Sequence, residues 1–314
     1  MQLTRSLSPG ARRRATGWLA VAPLASVAAL LAAPAPAQTL ERIGSTGTLR
    51  VGHRIDARPF SYRDESGRAA GYSVVLCERI AAAVKEKLRR PDLRTRLVPL
   101  DAGERIDVVR QGKVDIFCGA TTATLSRREN VGFSIAIFPS GIGALLRKDA
   151  PARMREVLSG RPEQYRPRWR ASLGQILEKR TFSVRAGTTA ESWLVEKLDE
   201  FEIIAEIEPV DDYEAGVEAI VARDADVLFG DRAVLLDAAE RSPSASELMV
   251  LDRLFTYEPL ALVLARGDED FRLLVDRTLS GLYRSGEIEA LFTTYFGEPG
   301  EEALSFFRMS ALPE

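Results

Sequence analysis

Lys113-Val114-Asp115-Ile116-Phe117-Cys118-Gly119-Ala120-Thr121-Thr122, KVDIFCGATT, is an apolar run that ends on small residues and hydroxyls. It follows a helical pattern at 104–110 and a turn at Gly112. The same order returns later: a helical pattern from Tyr213, a turn at Arg223, then Asp224-Ala225-Asp226-Val227-Leu228-Phe229 and a polar loop. Leu49-Arg50-Val51-Gly52-His53-Arg54 likewise has a counterpart in Phe182-Ser183-Val184-Arg185-Ala186-Gly187-Thr188-Thr189. Apolar strands that alternate with amphipathic helices give mostly parallel sheets with helices on both faces. Two units of one plan present their loops at the carboxyl ends of the strands, where open α/β sheets bind ligands.

Working outward, strands are expected at 48–51, 97–99, 181–184, 203–207 and 226–229, and helices at 72–88, 191–198 and 213–222. A further helix begins at Ala233, and two more fill 270–296. Residues 132–147 and 257–265 read as extended, with no helical period. Residues 151–180 are rich in arginine and proline. They read as an inserted loop with a short helix around 173–177.

The N-terminus reads as a leader. Arg12, Arg13 and Arg14 precede an apolar run from Trp18 to Leu31 and a small-residue cleavage site at Ala35-Pro36-Ala37, the pattern of a signal peptide over 1–37. A general secretory signal fits better than the twin-arginine route that the triple arginine could suggest. No later segment reaches the roughly 18 apolar residues that a membrane span requires. Loss of the leader removes Arg5, Arg12, Arg13 and Arg14 and no acid, which takes the formal charge from −2 to −6. An acidic chain without a basic run is a poor partner for nucleic acid or an anionic membrane.

One histidine and two cysteines make a metal site improbable, and no cofactor motif is present. Export permits a disulfide. Cys77 lies on the apolar stripe Cys77, Ile80, Ala81, Val84 and Leu88, and Cys118 ends a buried strand, so a helix packed on that strand could join them. Two inert buried thiols are the alternative.

With these pieces in order, the chain resembles the periplasmic amino-acid-binding proteins of ABC importers (solute-binding protein family 3), most closely the glutamate/aspartate branch. The resemblance is carried by Val51-Gly52-His53-Arg54, Pro59-Phe60-Ser61-Tyr62 and Gly71-Tyr72-Ser73. It continues in C-G-x-T-T-x-x-x-x-R from Cys118, in Ala186-Gly187-Thr188-Thr189-Ala190-Glu191 and in Ala225-Asp226-Val227-Leu228-Phe229-Gly230-Asp231. It covers about 49–296 apart from 151–180. It implies a two-lobed periplasmic binding protein fold of type II, with the ligand in the cleft. Lobe 1 would be 39–138 plus 261–314 and lobe 2 would be 142–255, with crossovers near 137–141 and 256–260. The expected partners are an amino acid and a membrane permease, the expected state a monomer in the periplasm.

The resemblance also assigns roles. Arg127 would grip the α-carboxylate with a planar fork, helped by Thr122, by N–H groups of the helix after Thr124, and by Thr188 and Thr189. Asp231 would take the ammonium. Ala120 replaces a serine of the glutamate/aspartate branch, leaving its carbonyl as a contact. Arg54 and Arg105, with Arg185 at a third pocket-facing position, would surround a side-chain acid. Asp212 stands where that branch has a histidine; it would disfavour glutamate unless it paired with Arg185. Phe60 and Tyr62 are wall or core residues. His53 precedes Arg54 on a strand and so points the other way, into a structural role.

Two other classes stay open. The same fold carries periplasmic enzymes such as cyclohexadienyl (prephenate) dehydratases, for which Glu191 or Asp212 would have to supply acid–base chemistry. A soluble ligand sensor is the third reading.

Overall fold

A computed structural model describes residues 39–160 and 176–314. Seven strands come first: β1 (Thr48–Arg54), β2 (Asp56–Ala57), β3 (Ser61–Arg63), β4 (Ala69–Ala70), β5 (Arg94–Leu100), β6 (Ile116–Cys118) and β7 (Gly132–Phe138). Then follow β8 (Ile142–Arg147), β9 (Thr181–Arg185), β10 (Glu206–Val210), β11 (Val227–Asp231), β12 (Leu248–Val250) and β13 (Leu260–Leu264). They form two five-stranded sheets, β5-β1-β6-β13-β7 and β10-β9-β11-β8-β12, and a small β2-β3-β4 sheet.

The two large sheets share one plan. β1 pairs in parallel with β5 and β6, and β9 pairs in parallel with β10 and β11. β13 runs antiparallel to both its neighbours, and so does β8. Four strands of each sheet therefore run one way. The reversed strand is in each case the one that enters directly from a chain crossing between the sheets. The internal repeat has a physical origin here: each half is a short parallel α/β unit closed by a strand from the other side.

The crossings are held against each other. Glu258 N donates to Ser140 O at 2.6 Å, and Phe255 N donates to Ile142 O at 2.8 Å. The hydroxyl of Thr256 accepts from Ile142 N at 3.0 Å. A Cβ on Gly141 would sit 2.0 Å from Thr256 O, so only glycine allows this approach.

The helix Tyr72–Leu88 buries Cys77, Ile80 and Val84 against the first sheet. Cys77 is bonded to Cys118 at the end of β6, across a separation of 41 residues. A loop of that size makes the bond worth about 2–4 kcal/mol through the unfolded chain. Phe60 is fully buried in a ring cluster with Tyr72, Phe138 and Phe296. It is a core residue, not a cleft wall. Tyr62 instead lies beneath the Arg58 guanidinium, 4.2 Å from the ring centre.

Within 151–180, the helix Ala152–Ser159 stands where a loop is expected, with Met154 and Leu158 buried beneath it. The short helix expected around 173–177 lies largely outside the described residues. Helices at Thr39–Thr46 and Glu301–Ser310 add to the expected set. Among the described residues no helix is long and apolar enough to cross a membrane.

Candidate functional site

The strand ends of both sheets converge on one cavity, and eight of the nine anticipated residues line it: Arg54, Arg105, Ala120, Thr122, Arg127, Thr188, Thr189 and Asp231. Arg54 ends β1, and Asp231 ends β11. Thr122 is fixed by the loop after β6, where Ala261 N donates to Thr121 O and Ala123 N donates to Pro259 O. That loop must also pass close to its neighbours. A Cβ on Gly119 would meet the Phe117 ring at 2.7 Å and Arg54 Cγ at 3.1 Å.

Arg185 does not line this cavity. Its Nε and Nη2 donate to Asp56 Oδ2 at 3.3 and 3.2 Å, while Arg54 Nε donates to Asp56 Oδ1 at 2.7 Å. Asp56 thus ties an arginine of the first sheet to one of the second. Asp212 is not the partner of Arg185. It caps the helix Tyr213–Ala222, accepting from Ala215 N at 2.8 Å, and it lies outside the cavity lining. An aspartate just before a helical pattern is a capping signal in its own right. The carboxylate that seemed to oppose an acidic ligand is spent on the backbone.

Arg105 is in a different position. It is buried, its Nε has no hydrogen-bond partner, and its Nη2 reaches Gly187 O at 3.3 Å. Among the described residues no carboxylate forms an ion pair with it. Burial, then repulsion from Arg127 and Arg54, brings its pKa down to about 9. Such a guanidinium is costly to bury unless an anion joins it.

Arg127 donates from Nη1 to Thr122 O at 2.9 Å, which points the side chain into the cavity. Burial lowers its pKa, and Glu258 opposes that shift. Its helix, Leu125–Arg128, is a single turn whose cap is the Thr124 hydroxyl, accepting from Arg127 N at 3.2 Å. That hydroxyl takes up one of the N–H groups expected to meet an anion, the one of Arg127. The twelve-residue helix Thr189–Glu200 differs. Its Thr188 makes no side-chain cap and donates instead to Arg185 O at 2.7 Å, so the first-turn N–H groups keep no side-chain acceptor.

Asp231 caps the helix Arg232–Arg241 through Ala233 N and Val234 N and accepts from Ser140 Oγ at 2.5 Å. Burial pushes its carboxyl up to about 6, against those hydrogen bonds. If its ionised form is the one that holds an ammonium, affinity is full above that value and falls as pH drops through it. The side-chain acid of a dicarboxylic amino acid such as glutamate, near 4.3, would stay ionised over most of this range. Calorimetry between pH 7.5 and 5 should show affinity falling below pH 6, by at most about tenfold per pH unit. A flat profile would remove Asp231 from ligand binding.

Glu258 also lines the cavity and was not anticipated. It accepts from Thr122 Oγ1 at 2.8 Å, Thr189 Oγ1 at 2.6 Å and Thr256 Oγ1 at 3.1 Å. Of the candidates for acid–base chemistry, Glu191 is engaged by Gly187 N at 2.8 Å, in the turn before its helix. His53 is buried with Nδ1 2.8 Å from Arg54 O, as a structural residue would be. No group of three or more metal-ligating side chains occurs among the described residues.

Comparison with known proteins agrees with this architecture. Residues 49–298 match the bacterial extracellular solute-binding proteins, family 3. A glutamate/aspartate import solute-binding protein of Escherichia coli K12 is 29% identical over 289 residues, 92% of this chain and 89% of that one. An L-glutamate/L-aspartate-binding protein of Pseudomonas aeruginosa PAO1 is 30% identical over 280 residues, 88% of this chain and 86% of that one. The fold is shared with the crystal structure of a cysteine-binding protein from Campylobacter jejuni, at TM-score 0.66 and 22% identity, covering 82% of this chain and 92% of that one. The cavity described above, lined by basic and hydroxyl groups, lies between two sheets of one plan. The chain belongs to family 3 of the bacterial extracellular solute-binding proteins.

Proposed function

We propose that this protein captures a dicarboxylic amino acid, glutamate or aspartate, in the cleft between its lobes and delivers it to the permease of an ABC importer. The lobes are residues 39–138 with 261–314, and residues 142–255, joined by crossovers near 137–141 and 256–260. The leader pattern at 1–37, which lies outside the described residues, fits export to the periplasm, and the protein acts there as a monomer. The named relatives from Escherichia coli and Pseudomonas aeruginosa bind or import glutamate and aspartate, which supports the same ligand class here.

The observation that carries the reading is Arg105, a buried guanidinium facing the cavity and without an anionic partner among the described residues. A ligand side-chain carboxylate completes it, with Arg54 beside it already shared with Asp56. Arg127 takes the α-carboxylate, together with the N–H groups at the start of Thr189–Glu200. Asp231 takes the ammonium, and the carbonyl of Ala120 is a second acceptor. Arg185 acts at the rim by holding Asp56.

A panel of amino acids in a thermal unfolding assay tests this. A ligand at 100 times its Kd adds about 2.7 kcal/mol of stability, because it binds only the native state. Glutamate or aspartate should raise the melting temperature, whereas lysine and leucine should not. A rise with a neutral or basic amino acid alone would overturn the acidic-ligand reading. No rise with any amino acid would overturn capture itself.

A further inference from the structure

We propose that Glu258 is a positioning residue that makes one end of the cavity specific for an ammonium group. The inference rests on the capture reading above. A hydroxyl has one proton to donate, and everything else it offers is lone pairs. Thr122 and Thr189, one from each side of the cleft, both direct that proton at Glu258 Oε2, at 2.8 and 2.6 Å. Both threonines line the cavity, so the oxygens they turn toward a ligand are acceptors rather than the carboxylate donors that the family resemblance implied.

Glu258 is itself firmly held. Its second oxygen accepts from Thr256 at 3.1 Å, and its own N–H donates to Ser140 O at 2.6 Å. Gly141, on the same crossover as Ser140, lets that segment lie against Thr256. A carboxylate fixed this way cannot turn aside when a ligand enters. Asp231 lines the same cavity, and the neighbouring Glu258 charge adds to the upward shift of its carboxyl. A cation placed among them relieves that repulsion and satisfies the threonine oxygens. A ligand with a hydrogen atom in place of the amine does neither.

Without Glu258, the same two hydroxyls could rotate and donate to an anion. The threonine pair alone would not discriminate; the glutamate beneath it does. The residue therefore decides between an amino acid and the corresponding simple diacid, although it was chosen by neither strand pattern nor motif.

Calorimetry with glutamate and with glutarate, its analogue lacking the amine, provides the test on wild type, Glu258→Ala and Glu258→Gln. Wild type should prefer glutamate strongly. In Glu258→Ala the preference should shrink by about tenfold or more, because a charge-assisted arrangement is lost. Glu258→Gln keeps an oxygen that accepts both hydroxyls but loses the charge, so its preference should fall less. An unchanged ratio in Glu258→Ala overturns the proposal, and equal losses in the two variants overturn the orienting role in favour of charge alone. Should Glu258→Ala be unstable, the near-isosteric Glu258→Gln decides: a preference below that of wild type supports the proposal, and an unchanged one overturns it. Should wild type prefer another amino acid, the glutamate reading fails, and the same ratio against that ligand's deaminated analogue still decides the role of Glu258.

Discussion

Replacing Arg105 with alanine should weaken glutamate binding by about a hundredfold, while glutamine loses no more than about tenfold. The asymmetry follows from the environment of Arg105. It is buried beside Arg54 and Arg127, has no ion pair among the described residues, and needs an anion to offset its desolvation. Removing it leaves the ligand's side-chain carboxylate in a dry site without a partner, and this penalty falls on the acid far more than on its neutral amide. Arg54→Ala should discriminate less than Arg105→Ala, because Asp56 already neutralises Arg54. Calorimetry with the two ligands on both variants reads the contrast. Equal losses for acid and amide in Arg105→Ala would remove this arginine from side-chain recognition.

Replacing Arg127 with alanine should instead weaken all amino acids together, by about ten- to a hundredfold, since a hydrogen bond to a charged group contributes about 1.5–3 kcal/mol. Arg127 is aimed into the cavity by its bond to Thr122 O and is assigned to the α-carboxylate that every amino acid carries. The variant should therefore keep the wild-type ratio between glutamate and glutamine while losing affinity for both. Retained affinity for every amino acid would take Arg127 out of the site. The two variants separate backbone recognition from side-chain recognition, and a selective loss in Arg105→Ala cannot come from general damage to the fold.

Much of the architecture was legible because periodicity is local. The helix patterns at 72–88 and 213–222 match the helices Tyr72–Leu88 and Tyr213–Ala222, and the apolar runs mark the central strands of both sheets. The Cys77–Cys118 bond was readable from a helical stripe and a strand end, two local patterns that the fold brings together. The small sheet at Asp56–Ala70 was not, since its two- and three-residue strands are too short to show alternation. The family resemblance placed eight of the sixteen cavity-lining residues. It could not place their partners. Asp56 captures Arg185 only because the two halves face each other, and nothing near either residue announces it. Glu258 sits on an extended crossover without a motif, and its role depends on threonines 136 and 69 residues away. Asp212 is the opposite case: its capping signal is local, and it is bound by Ala215 N rather than by Arg185.

The central claim is that an unpaired buried arginine selects an acidic amino acid. Its most direct test is the calorimetric affinity ratio of glutamate to glutamine for the wild-type protein at neutral pH. Arg105 predicts glutamate tighter by about tenfold or more. A ratio near one, or one in favour of glutamine, would contradict the account.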